Sequence, residues 1–287
     1  MRYNVLRRLF QVTTFTLFII QYPLHSLGVY LVVGSLLSSN VLKIVSFADL
    51  FAVMEKFIAY KTILVIPISA VLTTFITYLL LGRIFCGWIC PLDIYYSVSR
   101  RRKNIQSSTN NDVKLESDYL GKVFFMISIA ILSIFLLVSS TLAFPLFTNY
   151  AYVLNMLSII MVRISRIIAF GNIVIERLDY VITFIVITLI IDLALATRFP
   201  RFWCRRLCPA GLIYGLLNKL SPLTIKINID KCTKCGICDL VCPTNIYITS
   251  RYIERKQQSL RDVDCIKCFK CIDNCPTKAL AIAFTKP

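Results

Sequence analysis

Four stretches of this chain lack the charges that a water-facing surface requires. Leu9 to Leu42, Thr62 to Gly82 and Val123 to Val162 contain no Asp, Glu, Lys or Arg, and Tyr180 to Thr197 contains Asp192 alone. A membrane-spanning helix needs about 20 consecutive apolar residues, which each run reaches or nearly reaches. The third run is too long for one helix; its second half, with Pro145, Asn149 and Asn155, reads as an interfacial or re-entrant piece. The pattern therefore predicts an integral membrane α-helical anchor of four transmembrane helices. Composition agrees, with 16% charged residues against about 25% in ordinary soluble domains.

The charges orient those helices. The net charge is +17, from 32 Lys and Arg against 15 Asp and Glu. With four spans and both termini in the cytoplasm, Lys43, Lys56, Lys61, Arg163, Arg166 and Arg177 fall outside and the other basic residues inside, as the positive-inside bias expects. Arg100, Arg101, Arg102 and Lys103 follow the second span; Arg198, Arg201, Arg205 and Arg206 follow the fourth. The basic excess thus reads as topology and contact with membrane lipids, not as a nucleic-acid surface. The expected location is the cytoplasmic (inner) membrane, multi-pass. Arg7 and Arg8 feed an apolar run longer than a signal-peptide core and without a small-residue cleavage site, so no cleavable signal is expected.

Twelve cysteines and one histidine fix the chemistry. A lone His25 excludes bis-histidine haem, zinc-protease His pairs and Cys-His fingers. Eight cysteines lie in a repeated motif: Cys232, Cys235, Cys238 and Cys242-Pro243, then Cys265, Cys268, Cys271 and Cys275-Pro276, offset by 33 residues. C-x2-C-x2-C-x3-C-P, twice, is the bacterial two-cluster ferredoxin signature, in which the fourth cysteine of each run serves the other cluster. We read Cys232, Cys235, Cys238 and Cys275 as one 4Fe-4S ligand set and Cys265, Cys268, Cys271 and Cys242 as the second, with a crossing helix started by each Cys-Pro. Zinc ribbons use separated C-x-x-C pairs, and a reducing cytosol disfavours disulfides. The boundary falls at Ser221-Pro222: residues 1–221 form the membrane domain, and 222–287 a small α+β cytoplasmic ferredoxin domain. Gly236 in the first loop and Phe269 in the second predict clusters of unequal potential. Lys234, Lys267 and Lys270 in the ligand loops, and Arg251, Arg255, Lys256 and Arg261 between them, offset cluster charge and either dock an acidic partner or simply meet solvent.

The other four cysteines also repeat. Cys86-x3-Cys90-Pro91 follows the second uncharged run and Cys204-x3-Cys208-Pro209 the fourth, on the same side of the membrane. Three readings stand for them: a third metal centre or iron-sulfur cluster, a thiol–disulfide or transient-metal cycle, and inert packing beneath the ferredoxin domain.

Four spans, a C-x3-C-P after the second (Phe85 to Leu92) and another after the fourth (Trp203 to Gly211), then two ferredoxin motifs, resemble the NapH family of membrane ferredoxins, related to MauN and to the membrane half of NosR. That resemblance implies a quinol dehydrogenase subunit drawing electrons from the membrane quinone pool, from menaquinol or ubiquinol, and passing them through a partner ferredoxin and cytochrome to a reductase. The amino-terminal flavin domain of NosR has no counterpart here. Two other roles stay open, a maturation factor reducing a metal or disulfide and a passive ferredoxin tether in a larger complex. Quinol oxidation needs a proton acceptor near the membrane. Asp192 inside the fourth span, Asp93 after Cys90 and His25 in the first span are the candidates; their structural alternatives are an ion pair with an arginine such as Arg83, a helix cap, and a buried hydrogen-bonded imidazole.

Overall fold

The computed structural model describes residues 2–61, 68–98, 111–145, 153–171 and 201–285, with a few single positions between them. Helix α1 (Arg2–Ser26) is followed by an antiparallel sheet of β1 (Val32–Gly34), β2 (Ser38–Val41) and β3 (Val45–Ala48). Helices α2 (Leu50–Tyr60), α3 (Ile68–Leu81), α4 (Ile84–Trp88), α5 (Leu92–Val98), α6 (Asn111–Leu142) and α7 (Val153–Phe170) come next. A π-helical turn at Trp203–Leu207 leads into α8 (Pro209–Leu220).

The first uncharged run is not one helix throughout. Its helix starts upstream at Arg2, taking in Arg7, which is buried against a carboxylate, and it ends near Gly28, whose φ of +77 no continuing helix permits. The remainder, rich in β-branched Val32, Val33, Val41 and Val45, forms the sheet. The piece from Pro145 to Val162, read as interfacial or re-entrant, runs from Val153 on into a regular helix, Val153–Phe170, that packs on α1, where Ser165 Oγ accepts from Tyr22 N at 3.0 Å. Among the described residues one segment, Phe125–Leu142 of α6, is long and apolar enough to cross a membrane; Ile68–Leu81 is apolar but shorter. The fourth run and Asp192 lie largely outside the described residues, Asp192 itself entirely so.

Two acids invisible to motif reading join these helices. Asp49 caps α2 by accepting from Ala52 N at 3.0 Å and also accepts from the Tyr214 hydroxyl of α8 at 2.8 Å. Tyr214 stacks on Tyr78 of α3 at 3.6 Å between centroids. Glu55, fully buried on α2, accepts from Ser139 Oγ on α6 at 2.8 Å and from Thr148 N at 2.7 Å. Each buried carboxylate thus has donors, which is what makes its burial tolerable.

Beyond Ser221 the chain forms a three-stranded antiparallel sheet in the order β5 (Ser259–Leu260), β4 (Leu223–Ile227), β6 (Leu280–Phe284). Its inner face carries Ile225, Ile227, Leu260 and Leu280, packed on Ile246, Ile248 and Ile253. Each such side chain contributes roughly 1.5–3 kcal/mol on burial. Two short helices, α9 (Ile237–Val241) and α10 (Lys270–Asp273), carry the cysteine motifs over this core.

The sequence repeat is also a backbone repeat. Left-handed φ values recur at the 33-residue offset: Lys234 and Lys267 (53° and 48°), Gly236 and Phe269 (71° and 56°), Asn245 and Lys278 (61° and 53°). A phenylalanine in that region is strained. Here it is held by packing, its ring lying 5.6 Å from Tyr3 of α1 and 6.1 Å from Trp88 of α4.

Candidate metal centres

The eight ferredoxin cysteines fall into two separate cavities. One is lined by Cys232, Cys235, Cys238 and Cys275, the other by Cys242, Cys265, Cys268 and Cys271. Each cavity therefore takes three thiols from one motif and the fourth from the other. The helices that effect this exchange precede the Cys-Pro dipeptides and do not follow them, which corrects the expectation that each Cys-Pro starts the crossing helix. Cys238 lies in α9 and Cys242 just beyond its end, so the helical rise of ~1.5 Å per residue carries the chain ~6 Å from one cavity to the next. Pro243 forces its predecessor out of helical geometry, and Cys242 has ψ 116 accordingly.

The surroundings suit thiolate sulfur. Lys234 N donates to Cys232 Sγ and Ile246 N to Cys242 Sγ, both at 3.4 Å. The threonine hydroxyl after each Cys-Pro approaches the matching sulfur, Thr244 to Cys242 at 3.4 Å and Thr277 to Cys275 at 3.7 Å. Burial pushes the Cys265, Cys268 and Cys271 thiols up, and it raises Cys238 to about 12. Such thiols ionise only against a compensating positive charge, which a metal centre supplies. Four thiols per cavity, amide donors and an apolar lining fit a 4Fe-4S cluster in each.

The remaining four cysteines also converge. Cys86, Cys90, Cys204 and Cys208 line one cavity with Arg83, Arg201, Arg205, Asp93, Thr244 and Ile266. Cys86 sits in α4 and Cys90 just past it; Cys204 sits in the π-helical turn, and Cys208 leads into α8, with Pro209 at its first position. Burial and the neighbouring Cys86 push Cys204 up to about 12 against the pull of Arg201, and burial raises Cys90 and Cys208 too. Among the described residues, no three His, Cys, Asp or Glu close around one point as the ligands of a single ion do. Thr244 and Ile266 line both this cavity and the one of Cys265, so the two share a wall.

Ionic clasps hold that wall. Asp93, fully buried, accepts from Arg7 at 2.8 Å, Arg201 at 2.5 Å and Gln11 at 2.9 Å, with Arg8 at 3.3 Å. Burial raises its carboxyl, but Arg201 and Arg7 outweigh that and hold it below the ordinary range. Asp93 is thus neither a simple helix cap nor a ready proton acceptor. Asp264 accepts two bonds from Arg205, at 3.0 and 2.6 Å, and lies 3.7 Å from Arg83. Gly87 presses against the Ile266 carbonyl so closely that a Cβ there would collide with it, and Trp88 Nε1 donates to Lys267 O at 3.0 Å. Asn218 of α8 donates to the carbonyls of Asp262 and Cys265. Lys267, read as a surface charge near the cluster, instead reaches into the anchor, donating to Leu81 O at 3.0 Å and Ser221 Oγ at 2.8 Å. Asp273 caps the first turn of α1 through Tyr3 N and Asn4 N, where the helix has no acid of its own.

Asp264 gives the junction a pH dependence. Burial raises this carboxyl, Arg205, Arg206 and Arg83 pull it down, and the net direction is below 3.8. A depressed folded-state value means the stabilisation is full above the unfolded value and is lost as pH falls through the folded one. Limited proteolysis between the domains is expected to stay flat from neutral pH to about 4.5 and to accelerate below 3.8, whereas Asp264→Asn is expected to cleave readily at neutral pH.

His25 lies at the far end of α1, its ring 4.5 Å from Tyr30. Eighteen residues separate it from Arg7, about 27 Å of helix, so the thiol cavity is out of its reach. Sequence reasoning passed over Asp49, Glu55, Tyr78 and Tyr214 because none lies in a motif; a carboxylate beside an uncharged run was the available signal.

Comparison with known proteins fits this geometry. A profile described as a 4Fe-4S binding domain matches residues 63–106 and 181–228, the segments carrying the two C-x3-C pairs, and a 4Fe-4S dicluster domain matches residues 224–276. An uncharacterized protein of Methanocaldococcus jannaschii is 25% identical over 250 residues, 85% of this chain and 80% of the relative. The ferredoxin-type protein NapH of Haemophilus influenzae is 26% identical, over 88% of this chain and 80% of its own length. The methylamine utilization ferredoxin-type protein MauN of Methylorubrum extorquens is 28% identical, over 85% and 76%. No solved structure matches. Over most of its length, then, the chain is a homologue of the ferredoxin-type proteins NapH and MauN, and it carries 4Fe-4S domains.

Proposed function

We propose that this protein is a membrane-bound iron-sulfur electron-transfer subunit that oxidises quinol and hands electrons to a partner reductase chain. One observation carries the reading: twelve cysteines gathered as three sets of four, in three cavities of which the anchor one and that of Cys265 share a wall. The ligand sets are Cys232, Cys235, Cys238 with Cys275, and Cys265, Cys268, Cys271 with Cys242. Cys86, Cys90, Cys204 and Cys208 hold a third iron-sulfur centre, nearest the membrane. Bound clusters supply one-electron storage, so a two-electron donor such as quinol must be split between successive centres. The chain's own part is to hold the cavities at fixed separations, to exclude water from two of them, and to offer carboxylates near the entry. The anchor supplies four spans, with both termini and the clusters on the cytoplasmic side of the inner membrane. Asp192 is retained as a proton acceptor within the fourth span, and Asp49, which accepts from the Tyr214 hydroxyl, is a second carboxylate, Tyr214 stacking on Tyr78 about one turn before the end of α3.

Anaerobic purification followed by iron assay tests the centres: about twelve irons per chain are expected, four for each cluster. A value near eight removes the third centre, and a colourless chain removes the proposal. Adding a quinol analogue to the oxidised protein in lipid is expected to bleach the visible absorbance, and Asp192→Asn to slow that bleaching without loss of iron. A maturation role, in which the reduced chain passes electrons to a metal or disulfide of another protein, is favoured instead if quinol leaves the colour untouched while a copper(II) salt restores the visible absorbance of the dithionite-reduced protein and is itself reduced to copper(I).

A further inference from the structure

Of the twelve cysteines, Cys235 alone is exposed; all four at the anchor and the four around Cys265 are buried or half-buried. Cys235 sits between two left-handed backbone positions, Lys234 and Gly236. Lys231, Thr233 and Lys234 are exposed beside it. Across the same cavity, Cys275, Pro276 and Thr277 form the opposite lip, followed by exposed Lys278. Asp230 is the exposed acid next to this rim, while Asp273 is committed to the N-terminus of α1. The other loop lysines are committed elsewhere, Lys267 inside the domain junction and Lys270 half-buried near Arg7 and Arg8.

We propose that the Cys235 lip, with Lys231, Lys234 and Lys278, is the docking face for a small acidic one-electron carrier protein. The assignment rests on the iron-sulfur reading given above. Electrons cross protein by tunnelling, so exchange with a soluble partner goes through the centre whose edge reaches the surface. Here that is the Cys232 cavity, outermost of the three. The lysine rim adds attraction for an acidic face, which acts mainly on the rate of encounter and is screened by salt. The transfer is one electron from a reduced centre of this chain to the oxidised centre of the carrier, or the reverse, with no bond or proton exchanged.

The test uses the full chain in detergent, reduced with dithionite and freed of excess reductant, mixed by stopped flow with oxidised flavodoxin as the acidic probe and with a basic cytochrome c as the other. Lys231→Glu combined with Lys278→Glu is compared with Lys219→Glu combined with Lys226→Glu, an equal charge change at exposed lysines elsewhere. Neither pair replaces a cysteine ligand, and because Lys231 precedes Cys232, iron content and paramagnetic signals are measured on each variant first. At low salt the rim variant is expected to slow reduction of flavodoxin by about tenfold or more and to speed reduction of cytochrome c, with both effects fading at high salt. The control variant is expected to change either rate by less than about threefold. Equal effects from the two pairs, or a rate that ignores charge reversal in iron-loaded protein, overturn the docking assignment alone. A wild-type chain without iron overturns the iron-sulfur reading, and the assignment with it.

Discussion

Replacing Cys275 with alanine is expected to abolish the cluster whose other three ligands lie in the other motif, and to spare the cluster of the motif to which Cys275 itself belongs. Cys275 shares its cavity with Cys232, Cys235 and Cys238, while Cys265, Cys268 and Cys271 share theirs with Cys242. Cys242→Ala is expected to give the opposite loss. Each variant should lose about four irons per chain, and reduced samples should lose one of the paramagnetic signals while keeping the other. The pair of variants makes the result decisive, because a non-interlaced arrangement predicts the reverse assignment. Loss of both signals in either variant would mean that the two cavities fold as one unit, and would defeat the prediction of independent clusters.

The second large effect is expected at Asp93. This carboxylate is fully buried and takes charge-assisted bonds from Arg7 of α1 and Arg201 ahead of the second cysteine pair, while lying on the segment of the first. Asp93→Ala leaves Arg7, itself fully buried, and Arg201 facing each other with their anion gone. Breaking a buried pair by removing one partner costs about 3–5 kcal/mol, because the stranded charge stays desolvated. The expected result is a large fall in denaturant or thermal midpoint, followed by loss of the iron held by Cys86, Cys90, Cys204 and Cys208. Asp93→Asn keeps a hydrogen-bond acceptor and should fall between the two. A wild-type midpoint in Asp93→Ala would show that the hub contributes nothing to holding the two pairs together. Asp93→Glu, which restores the charge on a longer stem, is expected to recover part of the loss.

The ferredoxin domain was the most legible part of the chain. Four cysteines within eleven residues, twice, leave few alternatives, and the same 33-residue offset that relates the motifs relates their left-handed backbone positions. The direction of the crossing helices was misread because the pattern marks where proline ends a helix without saying on which side the helix lies. The uncharged runs gave α3 and α6 but misplaced the first helix. Arg7 and Arg8 looked like a cytoplasmic flank, and nothing local reveals that Arg7 meets an acid 86 positions away. The convergence of the two C-x3-C pairs was legible as an option, since both follow uncharged runs on the same side. The clasp at Asp264, the committed Lys267 and the Asp49–Tyr214 contact were not legible at all, because each depends on tertiary neighbours that carry no periodic or motif signal.

None of the three cysteine-lined cavities is complete within a single stretch of chain: one joins thiols at positions 86 and 208, another at 232 and 275, the third at 242 and 271. Iron captured early during synthesis would find two or three sulfurs and an open side. Assembly machinery therefore meets four thiols at the two ferredoxin cavities only after translation has passed the second ferredoxin motif, whereas the four of the anchor cavity are all made by position 208. Polypeptides cut short in between should leave the ribosome as sticky, metal-free fragments for quality control, and a shortage of iron should delay this protein's maturation more than its insertion.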